Sequence, residues 1–199
     1  NYSELVKFYN DKIAPQVGIV IDDLKGLEKL NEDIILIEKD TFQSKTKEII
    51  VNENYDYIIA ADGGCNHLYK MNITPDYIIG DLDSIAEEVI SYYKSKNVLL
   101  KKYPTHKDET DSEICIYLAK ELKANQVDFI GSLGGRIDHT LANIGLMYYV
   151  KNMNIEPRIL NSEEEILIIK DEEMTIKGEV GNTVSIISIM GEAKGVTLK

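Results

Sequence analysis

Tyr77-Ile78-Ile79-Gly80-Asp81-Leu82-Asp83-Ser84 is the stretch on which the reading of this chain turns. An uninterrupted run of β-prone apolar residues is the mark of a short strand buried on both faces, and a glycine with acids at i and i+2 ends it in a tight loop. The pattern has a precedent upstream, where Tyr57-Ile58-Ile59-Ala60-Ala61 runs straight into Asp62-Gly63-Gly64. Outward from these two segments, residues 17–21, 34–37, 98–100 and 127–130 read as further short apolar strands. Helical signals separate them at 24–30, 65–71, 86–95, 112–122 and 139–151. Thr110-Asp111-Ser112-Glu113 opens the helix at 112 as a capping box with Thr110 as N-cap. Apolar strands alternating with helices predict an α/β domain over residues 1–152, a mostly parallel sheet with helices on both faces.

The pattern changes near residue 154. Residues 157–160, 165–170, 174–177, 183–190 and 195–198 all read as strands, separated by turn signals such as Lys177-Gly178 and not by helical periods. The expectation is a smaller all-β, sandwich-like domain over 153–199. A sandwich normally needs more strands than these to close. The domain is therefore expected to be incomplete at its C-terminus, and Asn1 in place of Met leads us to expect an earlier start as well.

The chain has 199 residues, 44% hydrophobic and 28% charged, which suits an ordinary globular protein. No apolar run approaches the ~18 residues of a membrane span. The net charge of −12 repels nucleic acid and anionic membranes, and basic residues gather only in short patches, Lys101-Lys102 and 194–199. Neither is expected as a partner. Cys65 and Cys115 form no Cys-x-x-Cys pair, which argues against a disulfide scaffold or structural zinc and suits a reducing cytoplasm.

The acids are not scattered evenly. Asp62, Asp81 and Asp83 follow predicted strands directly, Asp111 opens the helix after the strand at 98–100, and Asp138 follows the strand at 127–130 and its glycine-rich loop. In an open parallel sheet the carboxyl ends of the strands share one edge, and ligands bind in the crevice outside it. Crowded carboxylates repel unless a cation neutralises them, and hard oxygen donors suit Mg²⁺ bridging to substrate phosphates. Gly63-Gly64 and Gly134-Gly135 let backbone N–H groups approach an anion closely. Taken singly, each acid is as readily a helix N-cap or a turn residue. Jointly they point to metal-dependent phosphoryl chemistry.

Other catalytic designs are absent from the sequence. There is no Gly-x-x-x-x-Gly-Lys-Ser/Thr loop, no protein-kinase signature, no zinc spacing among His67, His106 and His139, and no Gly-x-Ser-x-Gly elbow.

Four blocks resemble the thiamine pyrophosphokinase family: Ala61-Asp62-Gly63-Gly64-Cys65-Asn66; Pro75-Asp76 leading to Gly80-Asp81-Leu82-Asp83-Ser84; Asp108-Glu109-Thr110-Asp111-Ser112-Glu113; and Gly134-Gly135-Arg136-Ile137-Asp138-His139-Thr140-Leu141-Ala142-Asn143. The resemblance implies an α/β catalytic domain with a β-sandwich domain, working as a homodimer with thiamine at the subunit junction. It implies Mg²⁺ at Asp81, Asp83 and Asp111. Asp62, Asn66, Thr110 and Arg136 fall where the family holds ATP and its phosphates, with Gly63 in the same block, and Asp138 and His139 lie where phosphates and thiamine meet. The implied reaction is attack of the thiamine hydroxyl on the β-phosphorus of ATP, giving thiamine diphosphate and AMP. Arg136 is the candidate for charge stabilisation, and Asp111 or Asp138 for any general base. The first fifty or so residues do not share the likeness, and the family's Ser-Asn pair near thiamine falls beyond Lys199. The residues by themselves leave two alternatives, a metal-dependent phosphoesterase and a non-catalytic nucleotide or thiamine sensor.

Overall fold

A computed structural model of the chain describes residues 43–104, 109–133, 137–189 and 191–197. The strands expected at 17–21 and 34–37, and the helix at 24–30, lie outside the described residues. Helix α1 covers 43–52. Then follow β1 (Ile59–Ala61), α2 (Gly64–Lys70), β2 (Tyr77–Gly80), α3 (Glu87–Ser95), β3 (Leu99–Lys102), α4 (Asp111–Glu121), β4 (Gln126–Ile130), α5 (Ile137–Lys151), β5 (Glu156–Leu160) and β6 (Glu165–Leu167). Each strand and helix read from the sequence between residues 57 and 151 is present, with ends shifted by a residue or two.

β1, β2 and β3 form a parallel sheet in that order, with Ile59 opposite Tyr77 and Tyr77 opposite Leu99. Because side chains alternate along a strand, the consecutive isoleucines of β2 serve opposite faces. Ile78 packs with Cys65 and Leu68 of α2 and with Val89 and Tyr93 of α3. Ile79 packs with Ile114 and Leu118 of α4. Both isoleucines are 0% exposed, so the unbroken apolar run corresponds to a sheet with helices on both faces.

The remaining strands form a second sheet. β5 pairs parallel with β4 and antiparallel with β6. Among the described residues no ladder joins the two sheets, so the single parallel sheet expected from the sequence is here two three-stranded ones. Helix α5 covers the second sheet. Its Met147 packs with Ile159 and Ile168, while Leu146 and Val150 pack with Ile116 of α4 and Ile155. The sheet also holds a buried ion pair. Asp128 is 1% exposed at its side chain, and Arg158 donates to it at 2.9 Å from Nε and 2.5 Å from Nη2. Tyr55 Oη adds a bond at 2.7 Å, and Gln126 Nε2 one at 2.9 Å.

The chain divides into two compact units, Asn1–Ile168 and Ile169–Lys199. The division falls later than the boundary drawn at 152/153, because β5 and β6 complete a sheet begun by β4. The described residues of the second unit contain no strand, in contrast to the strands read at 174–177, 183–190 and 195–198. An apolar alternation records only β-propensity, and a strand exists when its backbone groups find a ladder partner. Val184, Ile186, Ile187 and Ile189 are exposed here. The turn signal at Lys177-Gly178 is realised just beyond: Asn182 N–H donates to the Glu179 carbonyl at 3.0 Å, and Glu179 N–H donates to Asn182 Oδ1 at 2.7 Å. Among the described residues no helix is long and apolar enough to cross a membrane.

Candidate metal and phosphate site

The acids after β1 and β2 meet because the two strands are hydrogen-bonded neighbours in register. Asp62 leaves β1 in the left-handed region, at φ 39°, and donates its N–H to the Ile79 carbonyl at 2.6 Å. Gly80 sits across from it at φ +151°, where a Cβ would stand 2.8 Å from Asp62 Cβ. Only glycine allows that approach. Leu82 then takes φ 67°, uncommon for a residue with a branched side chain. Its side chain packs against the core, so the residue between the two acids anchors their loop. Asp83 N–H closes the loop by donating to Asp81 Oδ1 at 3.1 Å.

As a result, one carboxylate oxygen from each of Asp62, Asp81 and Asp83 lies within 4.8 Å of the others. The crowding has an electrostatic signature. Asp83 is held above the usual carboxylate range, first by its hydrogen bond with Asp81, then by the Asp81 charge, with smaller contributions from burial, Asp62 and Asp111. Asp62 Oδ1 is buried and, among the described residues, has no hydrogen-bond partner. A buried orphan acceptor normally costs about 1–3 kcal/mol. Three hard carboxylate oxygens this close together, with a buried acceptor of Asp62 beside them, form a donor set that fits a divalent cation such as Mg²⁺.

The other expected residues fall into groups. Asp111 is the first residue of α4 and acts on Asp83 through its charge, but it stands outside the trio of close oxygens. Thr110 caps α4 as expected: its hydroxyl accepts from Glu113 N–H at 3.2 Å, and its N–H donates to Glu113 Oε2 at 2.7 Å. Gly63 precedes α2, and Asn66 lies within it. The Asn66 amide is used on the acid loop, donating to the Ser84 carbonyl at 3.0 Å and accepting from Ala86 N–H at 3.2 Å. Asp138 and His139 are exposed in the first turn of α5, and neither belongs to the trio. Arg136, with Gly134 and Gly135, lies outside the described residues. So does Asp108.

Two features went unread in the sequence. Ser84 donates its hydroxyl to Asp62 Oδ2, yet a serine after an acidic loop carries no signal beyond turn preference. A cavity of about 400 Å³ is lined by Tyr103, Tyr117, Lys101 and Glu109 among others. It borders the acid loop through Tyr103, whose N–H donates to the Gly80 carbonyl at 2.9 Å. Aromatic residues on two different elements give no sequence signature of a shared pocket.

Residues 50–159 match the family model described as thiamin pyrophosphokinase, catalytic domain. The chain belongs to that family. Thiamine pyrophosphokinase of Bacillus subtilis is 30% identical over 141 residues, covering 70% of this chain and 66% of its own length. Thiamine pyrophosphokinase 2 of Oryza sativa subsp. japonica is 33% identical over 118 residues, 49% of this chain and 44% of that protein. The chain thus spans less than two thirds of the curated thiamine pyrophosphokinases it matches. Among solved structures, the thiamin pyrophosphokinase family protein from Enterococcus faecalis superposes with a TM-score of 0.50 at 28% identity, over 58% of this chain and 55% of that one. Thiamin pyrophosphokinase from Candida albicans gives 0.52 at 22% identity over 58% and 54%, a likeness of fold alone. The family match includes the strands, helices and loops that bring Asp62, Asp81 and Asp83 together, so the trio belongs to the thiamin pyrophosphokinase catalytic region of this chain.

Proposed function

We propose that this chain is a thiamine pyrophosphokinase, transferring the pyrophosphoryl group of ATP to the hydroxyl of thiamine to give thiamine diphosphate and AMP. The observation that carries the reading is the Asp62, Asp81 and Asp83 trio, within 4.8 Å at the carboxyl edge of a parallel sheet in a family-matched domain. Asp81 and Asp83 with Asp62 would hold Mg²⁺, and Asp111 would add its charge from the start of α4. When bound, the ion supplies charge neutralisation to the carboxylates and to the phosphate oxygens. Transfers of this loose kind depend on positioning and preorganised charge more than on covalent help. The chain's part is then to hold the triphosphate against the rim and aim its β-phosphorus at the acceptor. Arg136 is the residue we assign to gripping phosphate oxygens, since a planar guanidinium does so in bidentate fashion. Asp138 and His139, on the first turn of α5, are assigned to the junction of phosphates and thiamine, and Asp111 or Asp138 to any proton removal from the thiamine hydroxyl.

The proposal extends to the rest of the protein. The first unit binds ATP and Mg²⁺, the second belongs to a sandwich-like part that contributes to thiamine binding, and the working form is a cytoplasmic homodimer. The two cysteines, Cys65 and Cys115, form no Cys-x-x-Cys pair, which supports a reducing compartment. The test is incubation of the full chain with ATP, Mg²⁺ and thiamine, followed by chromatography. Thiamine diphosphate and AMP formed in equal amounts, and only with thiamine present, are the expected products. Phosphate released from esters or ATP without an acceptor would make the protein a hydrolase. Tight ligand binding without turnover would make it a sensor.

A further inference from the structure

Ser84 reaches Asp62 across 22 residues of chain, and the pair divides the Asp62 carboxylate in two. Oδ2 accepts the Ser84 hydroxyl, while Oδ1 is buried and, among the described residues, has no hydrogen-bond partner. The contact is built with care on the other side. A Cβ on Gly63 would lie 2.8 Å from Ser84 Oγ, so the small residue there leaves the hydroxyl its place. Ser84 is held in turn by the Asn66 amide, which bonds to the Ser84 carbonyl and to Ala86 N–H. Between those two bonds Ile85, only 6% exposed, plugs the loop into the core.

We infer that Ser84 is a positioning residue for the cation site: its hydroxyl fixes the Asp62 carboxylate in one orientation beside Asp81 and Asp83, and Gly63 and Asn66 keep Ser84 where it can do so. The inference rests on reading Asp62, Asp81 and Asp83 as a divalent-cation site, and it adds a bracing role for Asn66. The physical reason is preorganisation. Without an ion, three neighbouring carboxylates repel, and an untethered Asp62 turns towards water. Binding must then bring it back against that repulsion and against its rotamer freedom. The tether removes both costs before the ion arrives. Partners of this kind, one bond removed from the metal, typically change affinity by ~10–100-fold. At a rim this open the lower figure applies, about tenfold, or ~1.4 kcal/mol.

The experiment is a titration of the full chain with Mn²⁺ alone, without nucleotide, following free Mn²⁺ by electron paramagnetic resonance. Thermal melts by circular dichroism run in parallel. The proteins are wild type, Ser84→Ala, Gly63→Ala and the double variant. Ser84→Ala is expected to bind Mn²⁺ about tenfold more weakly with its melt retained. Gly63→Ala keeps every polar group but crowds Ser84 Oγ, and is expected to weaken binding too. In the double variant the nearest remaining Ser84 atom is Cβ, 3.7 Å from the added methyl, so Gly63→Ala should then have almost no further effect. Wild-type affinity in a folded Ser84→Ala, or effects of the two substitutions that simply add, overturns the inference. Should Ser84→Ala not fold, Gly63→Ala decides alone: weakened binding supports the inference and unchanged binding overturns it. A wild-type chain that binds no Mn²⁺ fails at the earlier step and removes the cation site itself.

Discussion

Asp128 and Asp62 are both aspartates in the first unit, and the fold treats them in opposite ways. Asp128 is surrounded by donors from its own chain: the Arg158 guanidinium, the Tyr55 hydroxyl and the Gln126 amide. Arg158 is pushed further above its already high range, chiefly by its hydrogen bond to Asp128. It also meets Glu53 at 2.9 Å, which ties the segment after α1 to the second sheet. Asp62 instead faces two more carboxylates, and one of its oxygens is buried with no hydrogen-bond partner among the described residues. A charge that the chain neutralises itself is structural. Beside Asp62, the hydrogen bond with Asp81 and then the Asp81 charge raise the proton affinity of Asp83, and a cluster of that kind suits a cation supplied from outside the chain.

The contrast can be broken by experiment. The largest effect should come from Arg158→Ala, which leaves Asp128 buried without its countercharge. With Tyr55 and Gln126 still donating, a loss of about 3 kcal/mol of folding stability is expected, at the low end for a broken buried pair. Urea unfolding measures it, and Mn²⁺ affinity of the folded variant should be unchanged. A stability near wild type would show that the pair matters little.

Asp81→Asn or Asp83→Asn should do the reverse. Turnover is expected to fall by ~10²-fold or more, about 2.7 kcal/mol of transition-state stabilisation. The ion-free fold, relieved of a repelling charge, should be no less stable than wild type. Near wild-type turnover of either variant at saturating Mg²⁺ would take that residue out of the site.

Thr110→Ala removes one half of the α4 capping box and should cost ~1 kcal/mol of stability. Because the cap also sets where Asp111 begins the helix, a change in the apparent Mg²⁺ requirement alongside the stability loss would tie Asp111 to the site. A loss of stability alone would confine Thr110 to capping.

The smallest effect is one of pH. Asp83 is held above the ordinary carboxylate range, so between its unfolded and folded pKa values the folded chain keeps a proton that the unfolded chain has lost. Stability of the ion-free protein should therefore fall as pH rises through that window. Divalent-cation affinity should rise across the same window as the proton leaves. Asp83→Asn should flatten the stability trend, and a wild-type stability that climbs there would contradict the repulsion argument.

Between residues 57 and 151 the sequence was enough for the elements, and for the edge that β1 and β2 share. Ile78-Ile79 announced a strand covered on both faces, Thr110 and Glu113 announced the start of α4, and the acids after β1 and β2 announced a charged rim. All of these are local patterns, read from side-chain period and from contacts within a few residues. The sequence misled where strand formation depends on a partner: residues 183–189 alternate suitably, yet no ladder forms among the described residues of the second unit. It also could not say which acids meet. The family motif pointed to Asp111 beside Asp81 and Asp83, whereas the close trio takes Asp62 as its third member. That choice belongs to the tertiary structure, because it depends on the register of β1 against β2 and on how closely Gly80 lets Asp62 approach. The same holds for Ser84 on Asp62 and Arg158 on Asp128. Propensity acts along the chain, but an electrostatic partner is set by ångströms between segments far apart in sequence, and only the packed fold determines those distances.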